Sequence, residues 1–397
     1  SSQALAVSAG YRPCLRCRPE SAPHSWAWKG AETTFLRALT LIEQGELDGS
    51  LETLASRLGI SDRYLRQLFQ RHLGMPPKQY AQIQQLMFAK QLLHTSQISI
   101  TEVAYASGFQ STRRFNDAFQ KLFRLTPTQV RRERAALPSR NHLSLAFRGP
   151  FDWAHMLDFY RLRAIEGMEL IDEQSYQRHF VLGEGTGWFK ASMAQSHLDI
   201  EFEMERLSDL RHLVARLRRM FDLDADLISI EAHLEQLAPG LVRRTGIRIP
   251  GVWNAWEAGV RAVLGQQVSV KAAIGQLNLL VSTLAASEGS TRYFPTPEQV
   301  QMSDLSFLRM PERRKETLKR LADYVRLHPM DSPMAWLSLS GIGPWTVDYA
   351  QLRGESRSHC FLTGDLIVKK ALAKFPQLTA ESVAPWGSYA TFHCWSH

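Results

Sequence analysis

The chain has 397 residues, 44% of them hydrophobic and 22% charged, which is the composition of an ordinary globular protein with room for two or three domains. No apolar run is long enough to cross a membrane, no signal-peptide pattern opens the sequence, and four cysteines are too few for a secreted disulfide framework. These features argue against membrane and disulfide-stabilised secreted proteins, and predict a cytoplasmic protein with reduced thiols.

The formal net charge of +8 is concentrated in the first third of the chain. Residues 1–137 hold 18 Lys+Arg against 10 Asp+Glu, a difference of +8, whereas residues 138–397 hold 29 of each sign. A basic segment attracts polyanions, so nucleic acid is the expected partner of this third, with a merely solvated basic surface as the alternative.

Residues 1–30 are irregular and contain the pair Cys14-x2-Cys17. Tetrahedral zinc takes four ligands, so this pair supplies only half of a zinc site. Unmetallated thiols are therefore expected, unless further cysteines precede this stretch.

Two segments about 50 residues apart each read as a short helix, a glycine turn and a second helix. Gly59 and Gly108 mark the turns, where a positive φ is expected, and Ser61 and Ser111 are positioned to cap the helices that follow. This is the pattern of the helix-turn-helix motif, in which the second helix enters the major groove of DNA.

Each second helix has an apolar face and a polar, basic face. The expected apolar residues are Tyr64, Leu65, Leu68, Phe69, Phe115, Phe119, Leu122 and Phe123. Arginine and amide side chains bind base edges in the major groove, so the opposite faces supply the candidate DNA-binding residues. These are Arg63, Arg66, Gln67, Thr112, Arg113, Arg114 and Asn116.

The segment from Thr33 to Arg134, with the ending "GF…S…FNDAFQKLF…TPTQVRR", resembles the AraC-type double helix-turn-helix domain. The preceding "RPCLRCRP" resembles the end of an Ada-type zinc domain without its earlier cysteine pair. These resemblances imply sequence-specific DNA binding, and zinc at Cys14 and Cys17 only if the missing cysteines are present.

A linker at about Leu137 separates this region from a part with β character. Alternating apolar residues and glycine turns in "HLSLAFRGPFDW", "FVLGEGTGWFKASM" and "HLDIEFEM" predict a small antiparallel sheet. The segments "WAHMLDFYRLRA" and "LRHLVARLRRMFDL" predict helices against it, and from about Asp224 the pattern is nearly all helical.

The stretch "LSLSGIGPWTVDYAQLRG", Leu337 to Gly354, places Gly-Ile-Gly-Pro between two helical segments. Gly341 and Gly343 allow the backbone to approach another molecule closely, and amides that open the second helix can bind a phosphate. An ordinary turn between helices is the alternative. Asp365 follows in "FLTGDLIVKKAL", where it is expected to cap a helix.

The hairpin and Asp365 together resemble the helix-hairpin-helix DNA glycosylases, and within them the AlkA-type 3-methyladenine DNA glycosylases. The match also includes "PFDWAHMLDF", "IRIPGVWNAWEAGVRAVLGQQVSV" and "APWGSYATFHCW", and so covers nearly all of residues 142–397. It implies that Asp365 is the catalytic carboxylate. It also implies a pocket for a flipped base lined by Phe159, Trp345, Tyr349 and Trp386.

The resemblance carries further implications for the site. Gln267 falls where an apolar side chain of the family fills the gap left by the base, and the carbonyls of Leu337, Leu339 and Ile342 fall where a monovalent cation can bind. Trp345 stands where relatives that cut the strand carry a nucleophilic lysine. The family members that lack this lysine release the base without cutting the strand.

We therefore expect a mostly α multidomain protein: a zinc-domain remnant over 1–30, a double helix-turn-helix domain over 31–136, an α+β domain over 140–223, and an all-α helix-hairpin-helix glycosylase domain over 224–397. The expected partner is double-stranded DNA, at alkylated bases and at a promoter, for a monomer that needs no cofactor in its glycosylase chemistry. One alternative is a regulator with an inactive glycosylase module, suggested by Gly364 and Leu366 beside Asp365. Another is a glycosylase for deaminated or oxidised bases.

Overall fold

The computed structural model describes residues 33–43, 50–132, 141–284, 287–289, 291–329 and 331–396. The chain divides into two compact units, one of residues 1–146, 182–185 and 199–215 and one of residues 147–181, 186–198 and 216–397. Cys14 and Cys17 lie outside the described residues, so their zinc site stays a prediction. Among the helices described, none is both long and apolar enough to cross a membrane.

The described residues of the first unit up to residue 132 are mostly helical, as predicted. Its helices are Thr33–Glu43 (α1), Leu51–Arg57 (α2), Asp62–Leu73 (α3), Pro77–Thr95 (α4), Ile100–Ala106 (α5), Thr112–Phe123 (α6) and Pro127–Arg132 (α7). Helix α4 lies between the two helix-turn-helix copies along the chain and is buried over most of its surface. It contacts an aromatic residue of the second helix of each copy: Tyr80 packs edge-to-face on Phe69, and Lys90 lies over the ring of Phe123.

The predicted sheet is confirmed and has one strand more than the sequence indicated. Its strands are His142–Ala146 (β1), Glu169–Ile171 (β2), Ser175–Leu182 (β3), Gly185–Met193 (β4) and His197–Met204 (β5), in the order β1-β5-β4-β3-β2. The additional strand β2 pairs antiparallel with β3, with Glu169 opposite Arg178. The two predicted helices are Trp153–Arg161 (α8) and Leu210–Met220 (α9).

The rest of the second unit is nearly all helical, as predicted. The helices are Leu227–Leu237 (α10), Ala255–Gly265 (α11), Val270–Leu284 (α12), Pro297–Met302 (α13), Glu312–Leu327 (α14), Pro344–Gly354 (α15), Leu366–Leu372 (α16) and Gly387–Trp395 (α17). A two-stranded ribbon, Ser287–Glu288 (β6) and Thr291–Arg292 (β7), follows α12.

Helices α11 and α15 approach closely because a glycine lies at their contact. A Cβ on Gly354 would lie 2.5 Å from the Cα of Ala255, so only glycine fits there. Two hydrophobic clusters form the core of this unit, one around Val260, Leu277 and Trp336, the other around Leu352 and Phe392.

Candidate functional site

A cavity of about 460 Å³ lies in the second unit, where side chains of both hydrophobic clusters meet. Its aromatic lining consists of Phe159, Trp345, Tyr349, Phe392 and Trp395. Its titratable lining consists of His155, Asp158, Arg163, Arg261 and Asp365. A cavity of this size, lined mainly by apolar and aromatic side chains with a few polar groups, is typical of a small-molecule binding site.

Asp365 lies in the wall of this cavity and also caps a helix. Its Oδ1 accepts hydrogen bonds from the backbone N–H of Ile367 at 2.8 Å and of Val368 at 3.2 Å, at the start of α16. The indole Nε1 of Trp395 donates a third hydrogen bond to the same oxygen, at 3.1 Å. The other oxygen, Oδ2, has no hydrogen-bond partner among the described residues, so the carboxylate is held by one oxygen and presents the other.

Three of the four aromatic residues predicted for the pocket line the cavity, and the fourth does not. The rings of Trp345 and Tyr349 are stacked, with centroids 5.3 Å apart and planes at 24°. Trp386 lies away from the cavity lining and makes an edge-to-face contact with Tyr389 at 6.1 Å. Trp395, nine residues later and at the other end of α17, takes the place predicted for Trp386, with its ring parallel to that of Phe159.

The arginines around the cavity could not be recognised from the sequence, because a lone arginine is typical of a solvated surface charge. Arg353 donates from Nη1 to the Tyr349 hydroxyl at 2.8 Å. Burial acts to raise the pKa of Tyr349, but the guanidinium groups of Arg353, Arg163 and Arg261 outweigh it, and the pKa lies below its ordinary value. The hydroxyl of Tyr349 is therefore a stronger hydrogen-bond donor than an ordinary phenol.

The Gly-Ile-Gly-Pro turn joins a 3₁₀ helix, Pro333–Ser338, to α15. The first segment was expected to be α-helical, but its six residues form the tighter helix. Gly341 has φ +94°, and a Cβ there would lie 2.0 Å from Oγ1 of Thr317. Gly343 is the N-cap of α15, where a Cβ would meet no atom within 4 Å, so the backbone at this end is open to a ligand.

Gln267 lies between α11 and α12 in the left-handed region, with φ +57°, and is exposed. The preceding Gln266 donates from Nε2 to the carbonyl of Gly341 at 3.1 Å and to Oγ1 of Thr346 at 3.2 Å. The loop that carries Gln267 is thereby attached to the glycine turn. No sequence motif indicated this bridge.

Of the three carbonyls predicted to hold a monovalent cation, that of Leu337 belongs to the 3₁₀ helix, whereas those of Leu339 and Ile342 follow it before α15. The Leu339 oxygen accepts the N–H of Ile342 at 3.1 Å, which leaves one of its lone pairs for a cation. The monovalent cation at these carbonyls stays a prediction.

In the first unit, the structure exposes the predicted DNA-reading faces of both helix-turn-helix copies. Gly59 and Gly108 have φ of +69° and +85°, as the turns require. Six candidate side chains are exposed and Thr112 is half-buried; the exposed ones are Arg63, Arg66, Gln67, Arg113, Arg114 and Asn116. Arg66 pairs with Asp62 at 3.1 Å, an exposed ion pair of at most about 1 kcal/mol, which a phosphate or base could replace.

Two details of these motifs differ from the prediction. Ser61 caps α3 by accepting the N–H of Tyr64 at 3.2 Å, but the side chain of Ser111 makes no capping hydrogen bond at α6. Tyr64 was expected on the apolar face but is 42% exposed, because it lies at the margin of that face beside the basic residues.

Comparison with known proteins identifies both halves of the chain. Residues 142–254 match the AlkA N-terminal domain, and residues 54–133 match a helix-turn-helix domain. The chain is 32% identical, over 99% of its length and 86% of the relative's, to the "Probable bifunctional transcriptional activator/DNA repair enzyme AlkA" of Mycobacterium tuberculosis.

Two further relatives match the second half. The "DNA-3-methyladenine glycosylase 2" of Escherichia coli is 33% identical over 64% of this chain and 96% of its own. The structure of a 3-methyladenine DNA-glycosylase from Archaeoglobus fulgidus shares the fold, with a TM-score of 0.54 at 16% identity over 64% of this chain and 97% of that one. The chain therefore belongs to the AlkA family, in the form that joins an AraC-type helix-turn-helix domain to a glycosylase fold.

Proposed function

We propose that the chain is a monofunctional DNA glycosylase that excises alkylated purines of the 3-methyladenine type, and that its helix-turn-helix domain binds promoter DNA of the alkylation response. The enzymatic part of the proposal rests on the placement of Asp365 in the wall of an aromatic cavity. Three donors hold its Oδ1, and its Oδ2 has no hydrogen-bond partner among the described residues. The similarity to glycosylases and to a bifunctional activator supports both parts.

The proposed chemistry follows from the charge that develops in the reaction. As the N-glycosidic bond breaks, its electron pair goes to the base and positive charge builds on the sugar. A fixed carboxylate beside the sugar stabilises that charge without reorganising. The unpartnered Oδ2 of Asp365 can also orient and deprotonate the water that attacks the sugar carbon.

The base must leave the helical stack to reach Asp365, at a cost of a few kcal/mol. Trp345, Tyr349 and Trp395 offer aromatic surface that recovers part of this cost by stacking. By the family resemblance, Trp345 stands where relatives that cut the strand carry a Schiff-base lysine, so we expect the product to be an abasic site in an uncut strand.

The test is release of free bases from methylated duplex DNA by the wild type and by Asp365→Asn. Asparagine keeps an oxygen for the helix-capping hydrogen bonds but loses the charge, so the rate should fall by roughly 100-fold or more with the fold retained. The matched control is Asp226→Asn, because Asp226 also caps a helix, α10, but lies outside the cavity lining. Tight DNA binding without release of any base would favour the regulator with an inactive module.

We further propose that the protein acts as a monomer in the cytoplasm, where bacterial DNA is found, without contacting membranes. The proposed glycosylase chemistry uses no cofactor. Zinc would bind at Cys14 and Cys17 only with further cysteine ligands.

A further inference from the structure

Arg163 is the one arginine of the cavity lining whose guanidinium lies on the face of an aromatic residue of the same lining. Its Cζ lies 3.7 Å from the centroid of the Phe159 ring, and its Nη1 donates to the carbonyl of Phe159 at 3.2 Å. Nη1 of Arg261 in turn donates to the carbonyl of Arg163 at 2.9 Å. Stacking and hydrogen bonds therefore fix the position of both its backbone and its planar group.

The charge of Arg163 is not neutralised by a carboxylate of the described residues. Arg261 differs, because its guanidinium forms buried ion pairs with Glu169 and Glu257 at 3.2 and 2.8 Å. Burial lowers the pKa of Arg163 to about 10, so it is still protonated at neutral pH. Its Nε and Nη2 make no hydrogen bond within the described part of the chain, and these donors remain for a ligand in the cavity.

This arrangement does not suit a pocket that selects positively charged bases alone. The face of Phe159 covered by Arg163 cannot form a cation–π contact with a charged base. The unneutralised guanidinium also repels such a base, whereas a neutral base with hydrogen-bond acceptors gains from the same group. A planar fork of N–H donors matches adjacent acceptors such as N7 and O6 of a purine.

We infer that Arg163 is a specificity-determining residue that donates hydrogen bonds to acceptor atoms on the edge of the flipped base. This inference rests on the proposed glycosylase function. When the glycosidic bond breaks, its electron pair passes to the base, and a hydrogen bond to a ring nitrogen strengthens as that charge develops. A hydrogen bond from Arg163 to N7 would therefore make a neutral base a better leaving group. A base methylated at N7 already carries positive charge, so it does not need this hydrogen bond, and its N7 cannot accept one.

The test compares two lesions in otherwise identical duplexes: hypoxanthine, which is neutral and presents N7 and O6, and 7-methylguanine, which is cationic with N7 blocked. Single-turnover release is measured for the wild type, Arg163→Met and Arg163→Lys. The ratio of the hypoxanthine to the 7-methylguanine rate should fall about tenfold or more in Arg163→Met. Arg163→Lys, which keeps the charge without the planar fork, should give an intermediate ratio.

The control is Arg326→Met. Arg326 is an exposed arginine of α14 that pairs with Asp323 at 2.9 Å, and neither residue lines the cavity, so the ratio should stay at the wild-type value. A second measurement needs no variant: free hypoxanthine should inhibit the wild-type enzyme about tenfold more strongly than free 7-deazahypoxanthine, which lacks the N7 acceptor.

The possible failures are distinguishable. Equal slowing of both lesions in Arg163→Met, or equal inhibition by the two free bases, would overturn the role of Arg163 and leave the proposed function standing. A wild type that releases neither lesion nor 3-methyladenine would overturn the proposed function and this inference together.

Discussion

The indole of Trp395 and the carboxylate of Asp365 are joined by a hydrogen bond of 3.1 Å from Nε1 to Oδ1. Two backbone amides donate to the same oxygen. The indole and the two amides together hold Oδ1 in place and so leave Oδ2 without a partner among the described residues. Trp395 is therefore a positioning residue for Asp365 as well as part of the aromatic lining.

Replacing Trp395 with phenylalanine should keep the aromatic surface and remove the donor. A hydrogen bond to a charged group contributes about 1.5–3 kcal/mol, so we expect the single-turnover rate of base release to fall roughly 10- to 100-fold. The KM should change little, since the lost interaction orients the carboxylate rather than binding the base. Trp253→Phe is the control, because its indole donates to the carbonyl of Val181 away from the cavity; a wild-type rate in Trp395→Phe would contradict the positioning role.

The two glycines of the turn should respond differently to alanine. Gly341→Ala combines a strained φ of +94° with a Cβ 2.0 Å from Oγ1 of Thr317, so thermal unfolding should show a destabilisation of about 2 kcal/mol. Gly343→Ala meets no atom within 4 Å and should leave the unfolding temperature unchanged. Its methyl group points into the space where DNA would approach, so its duplex affinity should nevertheless fall; unchanged affinity would show that the DNA backbone does not come close at Gly343.

The two helix-turn-helix copies provide a matched pair of capping serines. Ser61→Ala removes the acceptor for the Tyr64 amide and should destabilise the start of α3 by about 1 kcal/mol. Ser111→Ala removes no side-chain cap and should have little effect on α6. Hydrogen exchange of the first-turn amides of each helix measures both effects, and equal changes in the two helices would contradict the difference in capping.

The buried carboxylate of Asp222 should make the stability of the second unit depend on pH. Burial raises its pKa from 3.8 to about 7, although the N–H of Ile249 and the hydroxyl of Tyr389 donate to it. The folded state then binds more protons than the unfolded state between about pH 4 and 7. The free energy of unfolding should therefore decrease as the pH rises through this range, by at most about 1.4 kcal/mol per pH unit.

Asp222→Asn should remove this contribution, because an amide does not titrate. Denaturant unfolding of the wild type and Asp222→Asn from pH 4 to 8, followed by tryptophan fluorescence, measures the difference; all described tryptophans lie in the second unit. Parallel pH profiles for the two proteins would show that Asp222 is ionised in the fold over the whole range.

The sequence predicts the elements of this protein better than it predicts the direction of single side chains. Periodicity and glycine turns located the two helix-turn-helix copies, the sheet and the helical region. The motif "APWGSYATFHCW" contains two tryptophans, Trp386 and Trp395, at opposite ends of one helix. The packing of that helix decides which of the two tryptophans faces the cavity. The spacing of residues in a single sequence does not predict how the helix packs.

Arg163 and Gln266 could not be found from the sequence for a different reason. The contacts of each side chain involve residues that are distant along the chain or atoms of the backbone. The hydrogen bond from Gln266 to the carbonyl of Gly341 is an example. A carbonyl leaves no trace in residue types, so interactions of this kind appear only once the fold is known. The helix-capping position of Asp365, in contrast, was predictable, because a Thr-Gly turn precedes it and an apolar helix follows it.

The bridge from Gln266 has a consequence for the search along DNA. In the proposed function Gln267 would enter the duplex, and its loop is attached through Gln266 to the glycine turn that would contact the DNA backbone. Contact with the backbone and probing of the bases would then be coupled, because a shift of the turn would also move the loop that carries Gln267.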